Sequence, residues 1–129
     1  MSANEPIQLA LSPLSKSWLL DLDGCVVRHN GYVEGGDELL VGVAEFWRSI
    51  PVEDHIIIMS SRHETERQAI TEFLSARRLR VDHIILGLPH GERICINDMK
   101  PSGLRTAIAV NLPRDAGLGL ISYVINPSL

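Results

Sequence analysis

The chain contains short, uninterrupted apolar runs that alternate with stretches of helical periodicity. The runs cover residues 18–20, 56–59, 84–86, 94–96 and 107–110. A strand with one solvated face alternates polar and apolar residues, whereas a strand covered on both faces is apolar throughout. These runs therefore predict the strands of a parallel sheet that lies between helices.

Two stretches between the runs have the pattern of amphipathic helices. In the first, apolar residues recur at helical intervals from Leu39 to Ile50, Asp37 is a candidate N-cap, and Pro51 ends the pattern. The second reads HETERQAITEFLSARR and is rich in strong helix formers. The order β-α-β-α-β with right-handed crossovers predicts an open, mostly parallel α/β sheet with three layers, α/β/α.

The remaining segments lack a clear period. Residues 1–16 contain two prolines and predict an irregular N-terminal arm, which leaves a single domain in residues 17–129. The connection 87–93 is too short for a crossover helix, so it either crosses the sheet as an irregular loop or closes a local hairpin.

Two further segments are candidates for a role at the site or at a surface. The loop 26–36 contains three glycines and is long for an ordered connection, so it is a candidate lid. The apolar C-terminal stretch GLGLISYVINPSL predicts a final edge strand packed on its own domain, or alternatively a subunit contact in a homo-oligomer.

Composition narrows the class of protein. The 129 residues are 45% hydrophobic, which suits one domain with a real core. A formal charge of -4 and the lack of a Lys/Arg cluster argue against a nucleic-acid or anionic-membrane partner. No apolar run approaches the roughly 18 to 20 residues that span a bilayer, and no signal-peptide pattern opens the chain. We expect a soluble, cytoplasmic protein.

Polar residues follow the apolar runs in a consistent way. The first run ends on Asp21 and Asp23, the second on Ser60, Ser61 and Arg62, and the fourth on Asn97 and Asp98, with Lys100 close behind. Separately, such endings are common helix caps and turns. Because the carboxyl ends of parallel strands form the ligand crevice of an open α/β sheet, we expect these side chains to meet there.

The residue types suggest phosphoryl chemistry. Carboxylate oxygens from Asp21, Asp23 and Asp98 suit a hard cation, and Mg²⁺ often uses one or two carboxylates together with a phosphate. One acid can attack phosphorus while the other, two residues on, serves as general acid and then base. Gly24 lets the chain turn immediately after the pair.

These motifs resemble those of the haloacid dehalogenase superfamily of aspartate-nucleophile phosphatases. The resemblance rests on DLDGC after an apolar run, IIIMSSR with a hydroxyl at the strand end, and ICIND, and it covers roughly residues 17–111. It implies a Rossmann-like fold with Asp21 as nucleophile, Asp23 as general acid/base, Ser60 on the phosphoryl group and Asp98 on Mg²⁺. The peptide carbonyl of Asp23 is the family's usual metal contact, and the short chain leaves no room for a cap domain.

The chain departs from the family pattern at two positions. Cys25 stands where the family's DGT motif has threonine, and Leu88 stands where short members resembling this chain have a lysine in GKP. Another residue must supply the missing cation, because a positive charge is needed beside the phosphoryl group to offset its negative charge. We rank Lys100 first and Arg62 second. Arg93 is third, since it precedes the fourth run and should start at the far end of the sheet.

The resemblance predicts an Mg²⁺-dependent phosphatase acting on a phosphorylated small metabolite, such as a sugar phosphate. Its predicted site consists of the catalytic acids Asp21 and Asp23, the metal ligands Asp21, Asp23 and Asp98, and the phosphate-binding residues Ser60, Ser61, Arg62 and Lys100. Two alternatives use the same residues: a non-catalytic or regulatory domain that lost turnover with the lysine, and a phosphotransferase that passes the phosphoryl group to an acceptor other than water.

Overall fold

A computed structural model describes residues 5–129 of the chain. In chain order the elements are β1 (Ile7–Leu11), β2 (Ser17–Asp21), α1 (Val43–Ser49), β3 (His55–Met59), α2 (Arg67–Ala76), β4 (His83–Ile85) and β5 (Ile121–Ile125), with single 3-10 turns at Gly31–Val33 and Glu64–Glu66. Within this described part, no helix has the length and apolar character needed to cross a membrane.

The central sheet has the strand order β2-β3-β4, and all its strands are parallel. This confirms three of the predicted strands and the α/β class. Ile56 and Ile58 on β3 are fully buried. The other face carries Leu19 and Ile85, which are 52% and 44% exposed, so this face of the sheet is open rather than covered as the apolar runs predicted.

Both predicted helices form, although the first is shorter than its pattern. It begins at Val43 with Gly42 as N-cap in the left-handed region, so the prediction that Asp37 caps it is wrong. It ends at Ser49, and the next residue, Ile50, is extended. This agrees with the prediction that the helix ends before Pro51. Between β2 and α1 the chain forms a loop with a 3-10 turn at Gly31–Val33. A hydrogen bond from the Arg28 amide to the Glu38 carbonyl closes this loop.

A second, two-stranded sheet joins the chain ends. β1 and β5 pair in parallel, with Ile7 beside Ile121. The expectation of an irregular lead-in is therefore wrong for Ile7–Leu11, while residues 1–4 of the predicted arm lie outside the described part of the chain. The prediction of a C-terminal edge strand is confirmed.

An aromatic cluster attaches β5 to the core. Tyr123 lies 5.1 Å from Trp18 and 6.0 Å from Phe46 between ring centroids. Its hydroxyl donates a hydrogen bond to the carbonyl of Ser49 at 2.8 Å. Edge-on aromatic contacts of this kind add to the stabilisation that burial provides. The C-terminal stretch thus packs on its own domain, which was the first of the two predicted alternatives.

Two predicted strands do not form. Residues 94–96 and 107–110 have no regular structure, and Ile94 and Ile96 are 81% and 91% exposed. Between the two runs the chain closes on itself, since the amide of Lys100 donates to Leu104 and that of Gly103 donates to Lys100. An apolar run indicates that a segment tends to be buried. To form a strand, the segment also needs a neighbouring strand whose backbone N–H and C=O groups are free to pair with it.

The segment before β5 is docked tightly on the loop that follows β2. The amide of Asp115 donates to the carbonyl of Gly24 at 2.8 Å, and that of Leu118 donates to Val41 at 3.0 Å. At Gly117 the approach is so close that an added Cβ would lie 2.1 Å from the carbonyl oxygen of Val41, and φ is +76°. Only glycine fits this position without a shift of the backbone.

Gly117→Ala should therefore destabilise the protein strongly, by about 2 kcal/mol or more, because a positive φ and a steric clash act together. Gly119→Ala is the matched control, since its added Cβ meets nothing within 4 Å. Urea unfolding of both variants provides the measurement. Equal stabilities for the two variants would show that the segment is not docked as described.

Candidate functional site

The carboxyl ends of β2 and β3 lie side by side and bring the first two polar groups together. Asp21 is the register partner of Met59, and the amide of Leu22 donates to the Met59 carbonyl at 3.1 Å. Ser60 is the residue directly after β3, and its amide donates to the carbonyl of Ile85 at the end of β4 at 2.9 Å. Parallel pairing in register is therefore what places the two polar groups at one edge.

The chain reverses direction directly after the two acids. The carbonyl of Leu22 accepts hydrogen bonds from the amides of Val26 and Val27, both at 3.0 Å, and Gly24 has φ +82°. This tight turn needs a residue that tolerates a positive φ, which explains the glycine after Asp23. An added Cβ at Gly24 would also lie 3.3 Å from Cγ of Arg114, which the chain brings in from the segment before β5.

The most connected side chain at the edge is Arg62. Its Nε donates to both carboxylate oxygens of Asp23 at 3.0 and 3.3 Å, and its Nη2 donates to Oδ1 of Asp23 at 2.7 Å. On the other side, Nη1 and Nη2 donate to the two oxygens of Asp37 at 3.0 and 2.7 Å. The guanidinium is thus clamped between two carboxylates.

Two further contacts complete the surroundings of this guanidinium. Its carbon lies 3.8 Å from the centre of the Tyr32 ring, and Nη1 lies 3.8 Å from Oε1 of Glu66. The Arg62 side chain is only 1% exposed. Burial alone would lower the pKa of Arg62, but the bonds to Asp23 and Asp37 outweigh it and hold the pKa above the ordinary arginine value. The charge is therefore permanent.

Asp21 has a different environment from Asp23. Its side chain is 43% exposed, and Oδ1 lies 3.5 Å from Nη1 of Arg93. Partial burial raises the pKa of Asp21; Arg93 lowers it and the nearby Asp23 raises it, and the net shift is upward. Arg93, ranked last among the candidate cations, is thus the one that the structure brings to Asp21. The expectation that it starts at the far end of the sheet is wrong.

The two serines after β3 are held by main-chain contacts. Ser60 is fully buried, and its Oγ accepts a hydrogen bond from the Arg62 amide at 3.0 Å. Ser61 Oγ donates to the carbonyl of Pro89 at 3.4 Å. The amide of Leu88 donates to the Ser60 carbonyl at 3.1 Å. The position where a lysine was expected therefore does lie beside Ser60, but it carries an apolar side chain.

The structure does not bring the third group of predicted residues to this edge. Asp98 and Lys100 are exposed on the irregular segment after residue 94, where the Asp98 carbonyl accepts a hydrogen bond from the Thr106 hydroxyl. Across residues 5–129, no group of three or more Asp, Glu, His or Cys side chains is arranged to hold a metal ion. Among the described residues, no hydrogen bond or ion pair joins Asp98 or Lys100 to Asp21, Asp23 or Ser60, and the strand that was predicted to deliver them does not form.

Cys25, which stands where the DGT pattern has threonine, lies close to Asp21. Burial and the neighbouring Asp21 carboxylate raise the pKa of its thiol to about 11. The side chain therefore stays a neutral thiol at physiological pH and adds no charge to the site.

Sequence reasoning missed three residues that shape the site. Asp37 was read as a helix cap, and Tyr32 and Arg114 were given no role. Nothing in the local pattern signals them, because each reaches the edge through a loop whose path depends on tertiary contacts.

Comparison with known proteins gives no relative. No family model matches the chain, and neither a curated protein nor a solved structure matches it significantly. The functional argument therefore depends on the site residues themselves.

The contrast between the two acids predicts opposite stability changes. Asp21→Asn should raise the melting temperature at pH 7 by at most about 2–4 °C, because folding raises the pKa of Asp21 and its ionised form opposes folding, although solvent screens the partly exposed carboxylate. The gain should shrink as the pH falls through the raised pKa and disappear below about pH 3, where the carboxyl is protonated in both folded and unfolded chains.

Asp23→Asn should instead destabilise the protein by about 1.5–3 kcal/mol, because it weakens charge-assisted bonds to a buried guanidinium. Thermal scans of both variants between pH 3 and 7 measure the two effects. A loss of stability in both variants would contradict the different environments assigned to the two acids.

Proposed function

We propose that this protein is an Mg²⁺-dependent phosphatase that forms an aspartyl phosphate at Asp21 and acts on a phosphorylated small metabolite, with a sugar phosphate as the first candidate. The proposed fold is a Rossmann-like α/β arrangement without a cap domain, in which one face of the sheet is open. The observation that supports it best is the contrast at the end of β2, where Asp21 is partly exposed beside a cation while Asp23 is clamped by Arg62. Two acids with separate environments suit two separate roles.

The reaction follows from those environments. Asp23, which pairs with Arg62 as a carboxylate in the free protein, first takes up a proton from solvent. A carboxylate oxygen of Asp21 then attacks phosphorus, the bond from phosphorus to the leaving oxygen breaks, and Asp23 gives that oxygen its proton. Asp23, now ionised, takes a proton from water, whose oxygen attacks the phosphorus of the aspartyl phosphate. The P–O bond to Asp21 then breaks, which releases inorganic phosphate and restores both acids.

Phosphate binding is assigned to the residues that line this edge. Ser60 Oγ accepts a hydrogen bond from the main-chain amide of Arg62, so its hydroxyl hydrogen is the group that would donate to a phosphoryl oxygen. Because Ser60 is fully buried, this contact requires a local opening of the edge when the substrate binds. Ser61 lies next to it on the partly exposed side. Arg93 takes over from Lys100 as the preferred cation, because it lies 3.5 Å from the Asp21 carboxylate.

The residues fit Mg²⁺ in part. Asp21 offers a partly exposed carboxylate, whereas the Asp23 carboxylate is taken up by Arg62 and Asp98 lies apart. Mg²⁺ needs only one or two carboxylates together with waters and substrate oxygens. We assign Asp21 as the carboxylate ligand that this edge supplies. When bound, the ion would offset the negative charge of the phosphoryl group.

A non-catalytic domain is the second candidate. It is favoured by the exposed positions of Asp98 and Lys100 and by the lack of a cation at Leu88. A phosphotransferase would share the first chemical step and differ only in the acceptor, and no contact at the edge favours it.

Hydrolysis of an aryl phosphate with Mg²⁺ tests the proposal. Wild-type protein should turn over, and Asp21→Asn should lose at least about a hundredfold in kcat, because an asparagine amide cannot form the acyl phosphate. Activity should also fall when the metal is chelated. Equal background rates in the two proteins would favour the non-catalytic domain.

The same assay decides between the candidate cations. Arg93→Met should lower kcat/KM by about a hundredfold, as expected for removal of a cation that stabilises the transferring phosphoryl group. Lys100→Met, which removes an exposed ammonium away from the edge, should change it by less than about threefold. The reverse order of the two losses would restore Lys100 as the cation.

A further inference from the structure

Arg62 was expected to bind phosphate, but four of its five N–H groups already donate to carboxylates, and the second N–H of Nη1 has Glu66 Oε1 3.8 Å away. Each of its three nitrogens donates to a carboxylate oxygen of Asp23 or Asp37. The side chain is 1% exposed, and the Tyr32 ring covers one face of its plane. A phosphoryl group would therefore have to displace one of the two paired carboxylates, or compete with Glu66 for the remaining N–H at a side chain that solvent barely reaches, and either is costly.

We propose that Arg62 is a positioning residue: it holds the carboxylate of Asp23 in the orientation for proton transfer and ties it to the loop 28–38 through Asp37 and Tyr32. This inference rests on the proposed function, because it assigns Arg62 a task in the same reaction. The guanidinium never contacts the substrate.

The geometry supports positioning rather than simple charge compensation. A planar guanidinium that donates from Nε and Nη2 to one carboxylate fixes both the place and the plane of that carboxylate. The paired donation to Asp37 fixes the guanidinium itself from the opposite side. A lysine would keep the charge but lose this two-point hold.

The loop enters the same arrangement through its own contacts. It is closed at its base, where the Arg28 amide donates to the Glu38 carbonyl at 3.0 Å, and an ion pair joins Arg28 to Glu34 at 3.0 Å. Asp37 near its end and Tyr32 at its 3-10 turn both contact Arg62. The loop, the end of β2 and the end of β3 therefore share one guanidinium.

A positioning role has a kinetic signature that a purely structural role lacks. Proton donation by Asp23 matters when the leaving oxygen is a poor leaving group, such as an alkoxide, and matters little for 4-nitrophenolate. A defect in Asp23 orientation should therefore be selective for alkyl phosphates. A defect in phosphate binding would affect both substrates alike, since both carry the same phosphoryl group.

The test is a double-mutant cycle on kcat/KM with glucose 6-phosphate and 4-nitrophenyl phosphate as probes. Arg62→Lys should lose at least about tenfold more on the alkyl phosphate than on the aryl phosphate, and Asp23→Asn should show the same selectivity. The double variant should lose no more than about threefold beyond Asp23→Asn alone, since a residue that acts through another has nothing left to act on. The control is Arg67→Lys, which should behave as wild type. Arg67 is an exposed arginine at the start of α2 that pairs with Glu64 in the preceding 3-10 turn.

Equal losses on the two substrates, or losses that multiply in the double variant, would overturn the inference while leaving the phosphatase proposal intact. Wild-type protein without Asp21-dependent turnover would overturn both. If Arg62→Lys does not fold, Asp37→Asn takes its place in the test. Asp37→Asn weakens the hydrogen bonds that hold the Arg62 guanidinium on the side away from Asp23, so it should show the same selectivity to a smaller degree. Asp37→Asn with unchanged selectivity would contradict the proposed hold.

Discussion

The buried guanidinium of Arg62 is the constraint on which the rest of the site depends. A permanent charge away from water is tolerated only with well-placed counter-charges, and here two carboxylates supply them from opposite sides. Arg62 follows β3, Asp23 follows β2, and Asp37 closes the loop before α1. Parallel pairing already brings the ends of β2 and β3 together, and the guanidinium joins the loop of Asp37 to them.

This constraint separates the two acids of the DLD motif. Asp23 is committed to Arg62, whereas Asp21 shares the open face of the sheet with Leu19 and pairs only loosely with Arg93. In the proposed reaction the exposed acid meets the substrate, and the clamped acid is held in one orientation by Arg62.

The sequence predicted the parts of the fold that local pattern controls. Continuous apolar runs identified β2, β3 and β4, and parallel pairing then put Asp21 and Ser60 at one edge without further information. The same reasoning failed for residues 94–96, because apolar character does not specify a partner strand. It also missed β1, since Ile7–Leu11 gains its structure only from pairing with a segment more than a hundred residues away. For the site, side chains directly after strands were placed well, whereas Asp37, Arg93 and Arg114 depend on loop paths that no local period records.

The central claim is that Asp21 is the nucleophile, and chemical trapping tests it most directly. Protein mixed with substrate and Mg²⁺, quenched in acid and reduced with borohydride should contain homoserine in place of Asp21, because borohydride reduces an acyl phosphate but not a free carboxylate. Mass spectrometry of the tryptic peptide of residues 17–28, which ends at Arg28, locates the change. The account predicts homoserine at position 21 only, and only when substrate is present. Homoserine at position 23, or turnover without any homoserine, would contradict it.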